Sequence, residues 1–292
     1  MKCIAFIILF LVIILLYGLY ITLQGTKPVL YLCPTLTKET CKIFDYRTSQ
    51  DVFLLRTHKW DPSIEELWKQ MQHDLGDKQV YVLYDITGNR QIPSIIKNLI
   101  TVTDRECLEL QSSYNGSWYT LESPLVLAYQ KLKKMKKWKY LWLIEYDVRC
   151  TGNWSYVLQR AIDHHPTADF VAYNVESYWS SPCWPGWSFL YKHPDQWYGI
   201  NAYAPLPFFR WKSFLPISRY SRQALDLFER TCGEYTDYCE IYLPTQCKIN
   251  GLTVDNLHQD CIGHMYRADK SYTADNWSIL CNVPGKLYHP IK

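Results

Sequence analysis

The sequence predicts an α/β domain with a central, mostly parallel sheet flanked by helices. Two observations predict it. Continuous apolar runs of strand length recur over roughly 100 residues, and stretches with helical spacing of apolar side chains lie between them. Each run also ends on a polar or charged residue. In open sheets of this class, ligands bind beyond the carboxyl ends of the strands.

The elements follow in order from residue 51, where the folded domain is expected to begin. Val52-Phe53-Leu54-Leu55-Arg56 suits a buried strand. Asp61-Pro62 has the form of a helix start, and Ile64, Leu67, Trp68 and Met71 follow at helical spacing up to Gly76-Asp77. Val80 to Tyr84 is a second strand ending at Asp85, and Leu99 to Val102 is a third, followed by Asp104. Leu125 to Lys139 reads as an amphipathic helix with Leu125, Leu127, Ala128, Leu132 and Met135 toward the sheet and lysines toward water. Tyr140-Leu141-Trp142-Leu143-Ile144 is the strongest strand signal, and it runs straight into Glu145-Tyr146-Asp147. The second half is less periodic. Asp169 to Val175 is expected as a strand, and Tyr178 to Trp187 as an ordered loop dense in Trp, Pro and Ser. Phe208 to Trp211 is expected as a strand leading to a helix over Ser218 to Arg230. Cys232 to Cys247 is a cysteine-bounded region, and Val283 to Lys292 a short polar end.

Ile4 to Leu23 holds 20 residues and no charge, the length that crosses a hydrocarbon core as a helix. The apolar core of a cleaved signal peptide is shorter, roughly 7–15 residues, and a small-x-small site would follow it. The expectation is an uncleaved anchor over 4–23, with residues 1–3 as a cytosolic tail and 24–50 as a stem. Residues 51–292 would then form a lumenal catalytic domain in a Golgi-like, single-pass type II arrangement. Ten of the 11 cysteines lie beyond the anchor, and an even number in an oxidising compartment suggests disulfides, with the pairing open. Glycosylation sequons stand at Asn115, Asn153 and Asn276. A formal net charge of +3 without a long basic stripe argues against nucleic acid as a partner.

Glu145-Tyr146-Asp147 carries the chemistry. An acidic-x-acidic triplet at a strand end offers hard oxygen ligands to Mn²⁺ or Mg²⁺. A nucleotide-sugar leaves as a nucleoside diphosphate, and a carboxylate-held cation neutralises that charge as the bond breaks. Asp147 is the expected direct ligand. Glu145 is expected to bind the metal through water, or to contact ribose or sugar. Acidic residues at strand ends are also common for the plain reason that loops are polar.

The block Trp142-Leu143-Ile144-Glu145-Tyr146-Asp147-Val148 resembles the Asp-x-Asp block of GT-A type glycosyltransferases with single-pass Golgi topology, departing from it in its first residue. Continued through Thr151-Gly152-Asn153-Trp154, it is similar to transferase-like proteins of algae, protists and large algal DNA viruses. The resemblance spans roughly Asp51 to Lys292. It implies the GT-A fold, a divalent metal and a nucleotide-sugar donor, UDP-linked, with UDP-xylose as the candidate. It also implies that Asp85 holds the nucleobase or ribose, with Arg56 and Thr57 lining the same pocket. A late carboxylate acts as the base in an inverting displacement, and the choice falls on Glu240, with Asp237 as the alternative. A late histidine adds a metal ligand, expected at His264 with His258 and His289 competing. His289, Lys286 and Lys292 are expected near the pyrophosphate. The acceptor is a glycan or glycoprotein, for which Trp179, Trp184 and Trp187 offer aromatic faces.

Two other functions fit parts of the sequence. A lumenal glycan-binding protein would use the aromatic loop without metal or nucleotide. A glycoside hydrolase would set two carboxylates, such as Glu145 and Glu240, across a glycosidic bond.

Overall fold

Phe53, Leu54 and Leu55 are all fully buried in β1 (Val52–Thr57). A strand buried on both faces needs a continuous apolar run rather than an alternating one, which is what the sequence supplies. In this computed structural model, residues 50–88, 90–110, 120–134, 138–188, 207–233, 238–264, 266, 277 and 283–291 are described. The expected anchor over 4–23, nearly all of the stem, Asp237, Lys292 and the sequons at Asn115 and Asn276 lie outside them. Among the described residues no helix is long and apolar enough to cross a membrane.

β1 pairs in parallel with β2 (Val80–Asp85) on one side and β4 (Tyr140–Glu145) on the other, and β3 (Leu99–Val102) pairs in parallel with β2. Between them, α1 (Pro62–Leu75) starts where expected. Asp61 accepts from the backbone N–H groups of Ser63 and Ile64 at 3.0 and 3.1 Å, proline stands in the first turn, and Gly76 at φ 98° ends the helix. α2 (Asp104–Leu110) and α3 (Glu122–Leu132) follow. α3 begins earlier and ends sooner than the apolar spacing suggests. β5 (Arg149–Thr151) and α4 (Trp154–Ala161) come directly after the acidic triplet. Asn153 caps α4 by accepting from the Tyr156 N–H, so this sequon asparagine has a structural use. Asp74 of α1 accepts from the Trp154 N–H, and its carbonyl accepts from the Ser155 hydroxyl, tying α4 to α1.

The second half holds β6 (Phe170–Ser177), β7 (Trp211–Ser221), α5 (Arg222–Thr231), α6 (Cys239–Ile249), β8 (Val254–Asn256) and β9 (Lys286–Tyr288). The fold is α/β, but its seven-stranded sheet is mixed, in the order β3-β2-β1-β4-β7-β6-β8, with β7 antiparallel to both β4 and β6. Alternate residues of the central strands face two apolar layers. Leu54 and Leu143 pack with Leu125, Tyr129 and Phe228 on one face, while Phe53, Leu55 and Trp142 pack with Met71, Trp154 and Leu158 on the other.

Three expectations change here. The run from Phe208 opens as a short 3₁₀ turn over Pro207–Phe209. The strand then extends to Ser221, where the Ser221 hydroxyl caps α5 by accepting from the Ala224 N–H. Pro216 hid this strand from sequence. It is accommodated because the β6–β7 register shifts there, and such irregularities are where a sheet admits proline. The end of the chain is not a loose polar tail: β9 pairs with β5, and Leu287 to Pro290 are buried. The expected disulfides are absent among the described residues, where Cys150, Cys183, Cys232, Cys247 and Cys261 are free thiols. Cys150, Cys247 and Cys261 are buried and pack in the core as small apolar side chains.

Leu287 is fully buried between Cys150 of β5 and the bridge at Ile262. Leu287→Ala is expected to lower the unfolding free energy by about 2–5 kcal/mol. A urea melt of the full-length chain in detergent measures this as an earlier midpoint at unchanged slope.

Candidate active site

β1, β2 and β4 run in parallel, so their carboxyl ends open on one edge of the sheet. The register sets Arg56 beside Glu145, and Arg56 Nη1 lies 2.7 Å from Glu145 Oε1. Burial raises the Glu145 pKa. Arg56 opposes that shift, and the negative charge of Asp147 adds to it. The chain then turns tightly, with the Val148 N–H donating to the Glu145 carbonyl at 3.0 Å, and enters β5. Pairing of β5 with β9 brings the C-terminal segment alongside. The Ile291 N–H donates to the Asp147 carbonyl at 2.9 Å.

That pairing delivers His289. Its Nε2 is 3.4 Å from Asp147 Oδ1 and 3.8 Å from Glu145 Oε2. One ligand atom from each of Glu145, Asp147 and His289 falls within a 4.8 Å group. Phe214 and Tyr266 pack against the imidazole, with ring centroids at 5.3 and 5.8 Å, and so orient it. Asp147 Oδ1 is buried and has no hydrogen-bond partner among the described residues. A buried carboxylate oxygen left in that state is costly, and a cation removes the cost. Two carboxylates and one imidazole are a donor set that suits Mn²⁺ better than Ca²⁺.

Two cavities meet at this group. The first, about 310 Å³, is lined by Arg56, Thr57, His58, Asp85, Glu145 and Asp147, among others. Asp85 accepts from the Thr87 N–H at 2.8 Å and pairs with Arg90 at 3.2 Å. The Thr57 hydroxyl donates to the Lys59 carbonyl at 2.6 Å. The second cavity, about 250 Å³, shares Arg56 and Glu145 with the first and adds Trp184, Lys212, Tyr238, Glu240, Tyr266 and His289. Glu240 stands in the first turn of α6, a helix that continues through Pro244. Loss of solvent around its carboxyl pushes the Glu240 pKa up to about 8, against hydrogen bonds from Tyr238 and the Leu215 backbone.

The expected site residues therefore separate. Arg56, Thr57, Asp85, Glu145 and Asp147 share the first cavity, while Glu240 and His289 line the second. His264 is exposed in a turn and lies outside the three-residue ligand group, in which His289 is the histidine. The reason is the path of the chain: Ile262 bridges Leu287 and the Gly263 N–H donates to the Leu287 carbonyl, so residue 264 has already left the strand edge. The Lys286 ammonium donates to the Asp260 carbonyl and lines neither cavity. Trp184 lines the second cavity, Trp187 is buried with its N–H on the Ser181 carbonyl, and Trp179 is exposed. Sequence reasoning missed Lys212 and Asn174 as cavity residues, since neither belongs to a local motif. It passed over Arg90 and Asp104, although Asp104 stands just past the end of a strand.

No family model matches the chain, and no curated protein matches it. Among solved structures it is similar to glucosyl-3-phosphoglycerate synthase from Mycobacterium tuberculosis in complex with Mg²⁺ and uridine diphosphate, at 13% identity and TM-score 0.41, over 76% of this chain and 75% of that one. It is similar to mouse xyloside xylosyltransferase 1 in its apo form, at 11% identity and TM-score 0.38, over 82% and 97%. It is also similar to the galactosyltransferase LgtC in complex with donor and acceptor sugar analogues, at 7% identity and TM-score 0.41, over 83% and 87%. Likeness at this level assigns no family, and the chemistry rests on the side chains themselves.

The raised pKa of Glu240 has a stability consequence. Between its ordinary 4.5 and about 8, the unfolded chain has released a proton that the folded chain still holds. Folding stability therefore falls as pH rises through this window, and the loss is complete above about pH 8. In EDTA, Glu240→Gln is expected to match the wild-type melting temperature near pH 5 and to exceed it by at least about 2–4 °C at pH 9, the size of 1 kcal/mol in a domain of this length. Melting curves across the pH range measure it.

Proposed function

We propose that the chain is a metal-dependent glycosyltransferase of the GT-A type, moving a sugar from a nucleoside-diphosphate carrier to a hydroxyl of a glycan or glycoprotein. One observation carries this reading: a buried Asp147 oxygen without a hydrogen bond, grouped with Glu145 and His289 where two cavities meet. Glu145, Asp147 and His289 would hold Mn²⁺ or Mg²⁺, which when bound neutralises the charge of a diphosphate leaving group.

The remaining work falls to the chain's own groups. The first cavity takes the nucleoside, with Asp85 accepting from ribose or base and Thr57 and His58 forming the wall. Arg56 offsets the charge of Glu145 so that the two carboxylates can stand together. The second cavity takes the sugar and the attacking hydroxyl. Glu240 accepts the proton of that hydroxyl, whose oxygen bonds to the anomeric carbon as the bond from that carbon to the diphosphate oxygen breaks; the nucleoside diphosphate leaves and the carbon is inverted. A carboxyl whose pKa is about 8 is a far better proton acceptor than an ordinary one, provided it is ionised first. The choice of UDP as carrier, and of xylose as sugar, follows from the resemblance of the acidic block. The apolar segment over 4–23 would hold the domain on the lumenal side of a Golgi-type membrane, a reading independent of the site.

The full-length chain in detergent, titrated with UDP and with GDP by calorimetry, tests the reading. One nucleotide is expected to bind at least about tenfold more tightly with Mn²⁺ than with EDTA, a difference of 1.4 kcal/mol. Asp147→Ala is expected to erase that difference, and a variant that keeps it overturns the assignment. Sugar transfer is expected to rise with pH and level off above about pH 8, as Glu240 ionises. Glu240→Gln should lower kcat by about 10²–10⁴-fold while nucleotide affinity stays unchanged.

A further inference from the structure

The second cavity has a polar wall that the reading above leaves unused. Lys212 on β7 is buried, with only 4% of its side chain exposed, and its ammonium pairs with Glu176 Oε2 at 2.8 Å. The Asn174 backbone carbonyl lies 3.5 Å from the same nitrogen. With its amide turned to satisfy both neighbours, the Asn174 side-chain oxygen accepts from Lys212 at 2.8 Å and its nitrogen donates to Glu176 at 3.1 Å. The indole of Trp184 lies beneath the ammonium, 5.5 Å from it.

The backbone is shaped for this cluster. Asn174 is the one non-glycine residue with positive φ among the described residues, at 55°. It sits where the β6–β7 register shifts on both sides of Tyr173. Bulges of this kind re-aim side chains beside sites, and a left-handed residue within a strand has a conformational cost that function can justify. A buried ammonium likewise costs stability that an apolar side chain on β7 would avoid.

The geometry points to Lys212, held by Glu176 and Asn174, as the specificity-determining residue for the donor sugar, selecting a neutral sugar over one that carries a carboxylate. This rests on the nucleotide-sugar reading of the site. An ammonium has three N–H donors. Among the described residues Glu176 and the Asn174 side chain take two at 2.8 Å, and the Asn174 backbone carbonyl holds the third only at 3.5 Å, so a sugar hydroxyl in the cavity that Lys212 lines can replace it. The ammonium of Lys212 and the amide of Asn174, which both line the cavity, together match neighbouring sugar hydroxyls, which both donate and accept. The Trp184 ring beside them suits the apolar face of a pyranose. The position adjoins Glu145 and Arg56, which line both cavities, so the sugar read here is the one attached to the diphosphate. The charges decide the class. The described lysine and arginine side chains lining the cavity are Arg56 and Lys212. Arg56 faces Glu145, and Lys212 faces Glu176. A uronic-acid carboxylate entering this cavity would find no cation left to balance it, because Glu176 already balances the Lys212 charge.

The test uses the full-length chain in detergent with Mn²⁺. UDP and GDP are titrated first. The series on the nucleotide that binds then follows: for UDP, the xylose, glucose, galactose and glucuronate conjugates; for GDP, the mannose and fucose conjugates beside a carboxylate-bearing mannuronate conjugate. Wild type is expected to bind at least one neutral conjugate about tenfold more tightly than the uronate. In Lys212→Met, affinity for that neutral conjugate is expected to fall about tenfold, the size of one charge-assisted hydrogen bond, while affinity for the bare nucleotide moves less than about twofold. Glu176→Gln leaves the lysine charge unbalanced, and it is expected to narrow the discrimination against the uronate about tenfold. Equal losses for nucleotide and conjugate in Lys212→Met mean a structural lysine and overturn the proposal. So does a wild type that prefers the uronate, or a Glu176→Gln variant with unchanged discrimination. If wild type binds neither nucleotide, the nucleotide-sugar reading falls and takes this one with it, a result distinct from lost sugar discrimination with nucleotide binding retained.

Discussion

The candidate site depends on the pairing of β9 with β5, two strands of three residues each. Arg149, Cys150 and Thr151 face Tyr288, Leu287 and Lys286. Without this contact Asp147 and His289 would have no reason to meet, because 142 positions separate them in sequence. So few ladder bonds would not hold a strand by themselves. Leu287 supplies the hold by filling the apolar layer beside Cys150, Leu257 and Cys261. The neighbouring backbone is close enough to require glycine. A Cβ added at Gly263 would come within 2.3 Å of the Tyr288 ring, so any other residue there would displace that buried side chain of β9.

Electrostatics follows from that placement. The site sets two carboxylates, Glu145 and Asp147, in a region poor in water, an arrangement that burial and mutual repulsion both oppose. Arg56 meets one of them, which leaves the other for a cation. Glu145 thus stands between a fixed guanidinium and the position that a metal held by the ligand group would take, on the wall of both cavities. The desolvated Glu240 carboxyl is a second unfavourable group in the same region. A protein selected for stability alone would replace these side chains with apolar ones, so their presence fits a function that uses the strain.

How much of this was legible in sequence varied along the chain. The first four sheet strands were readable because each is a local apolar run; β1, β2 and β4 are buried largely on both faces, while the edge strand β3 alternates between buried and half-buried. The acidic triplet was readable for the same reason, since it is the end of one of those runs. β7 was misjudged because Pro216 breaks its run, and only the bulge against β6 makes room for that proline. β9 was missed because three residues carry no periodicity. The cysteines pointed toward disulfides by number alone, whereas packing uses Cys150, Cys247 and Cys261 as core side chains.

By itself, the sequence determined what short-range physics controls: the strands, the helix caps, the α/β class and the placing of Glu145 and Asp147 at the end of a buried strand. The tertiary structure alone decided which histidine joins them, which of two cavities each polar group faces, and that Lys212 and Asn174 line one wall with Glu176 paired to the lysine. The division has one cause. A strand end is written in adjacent residues, but a ligand group is written in distances, and those depend on which distant segments bury their apolar faces together.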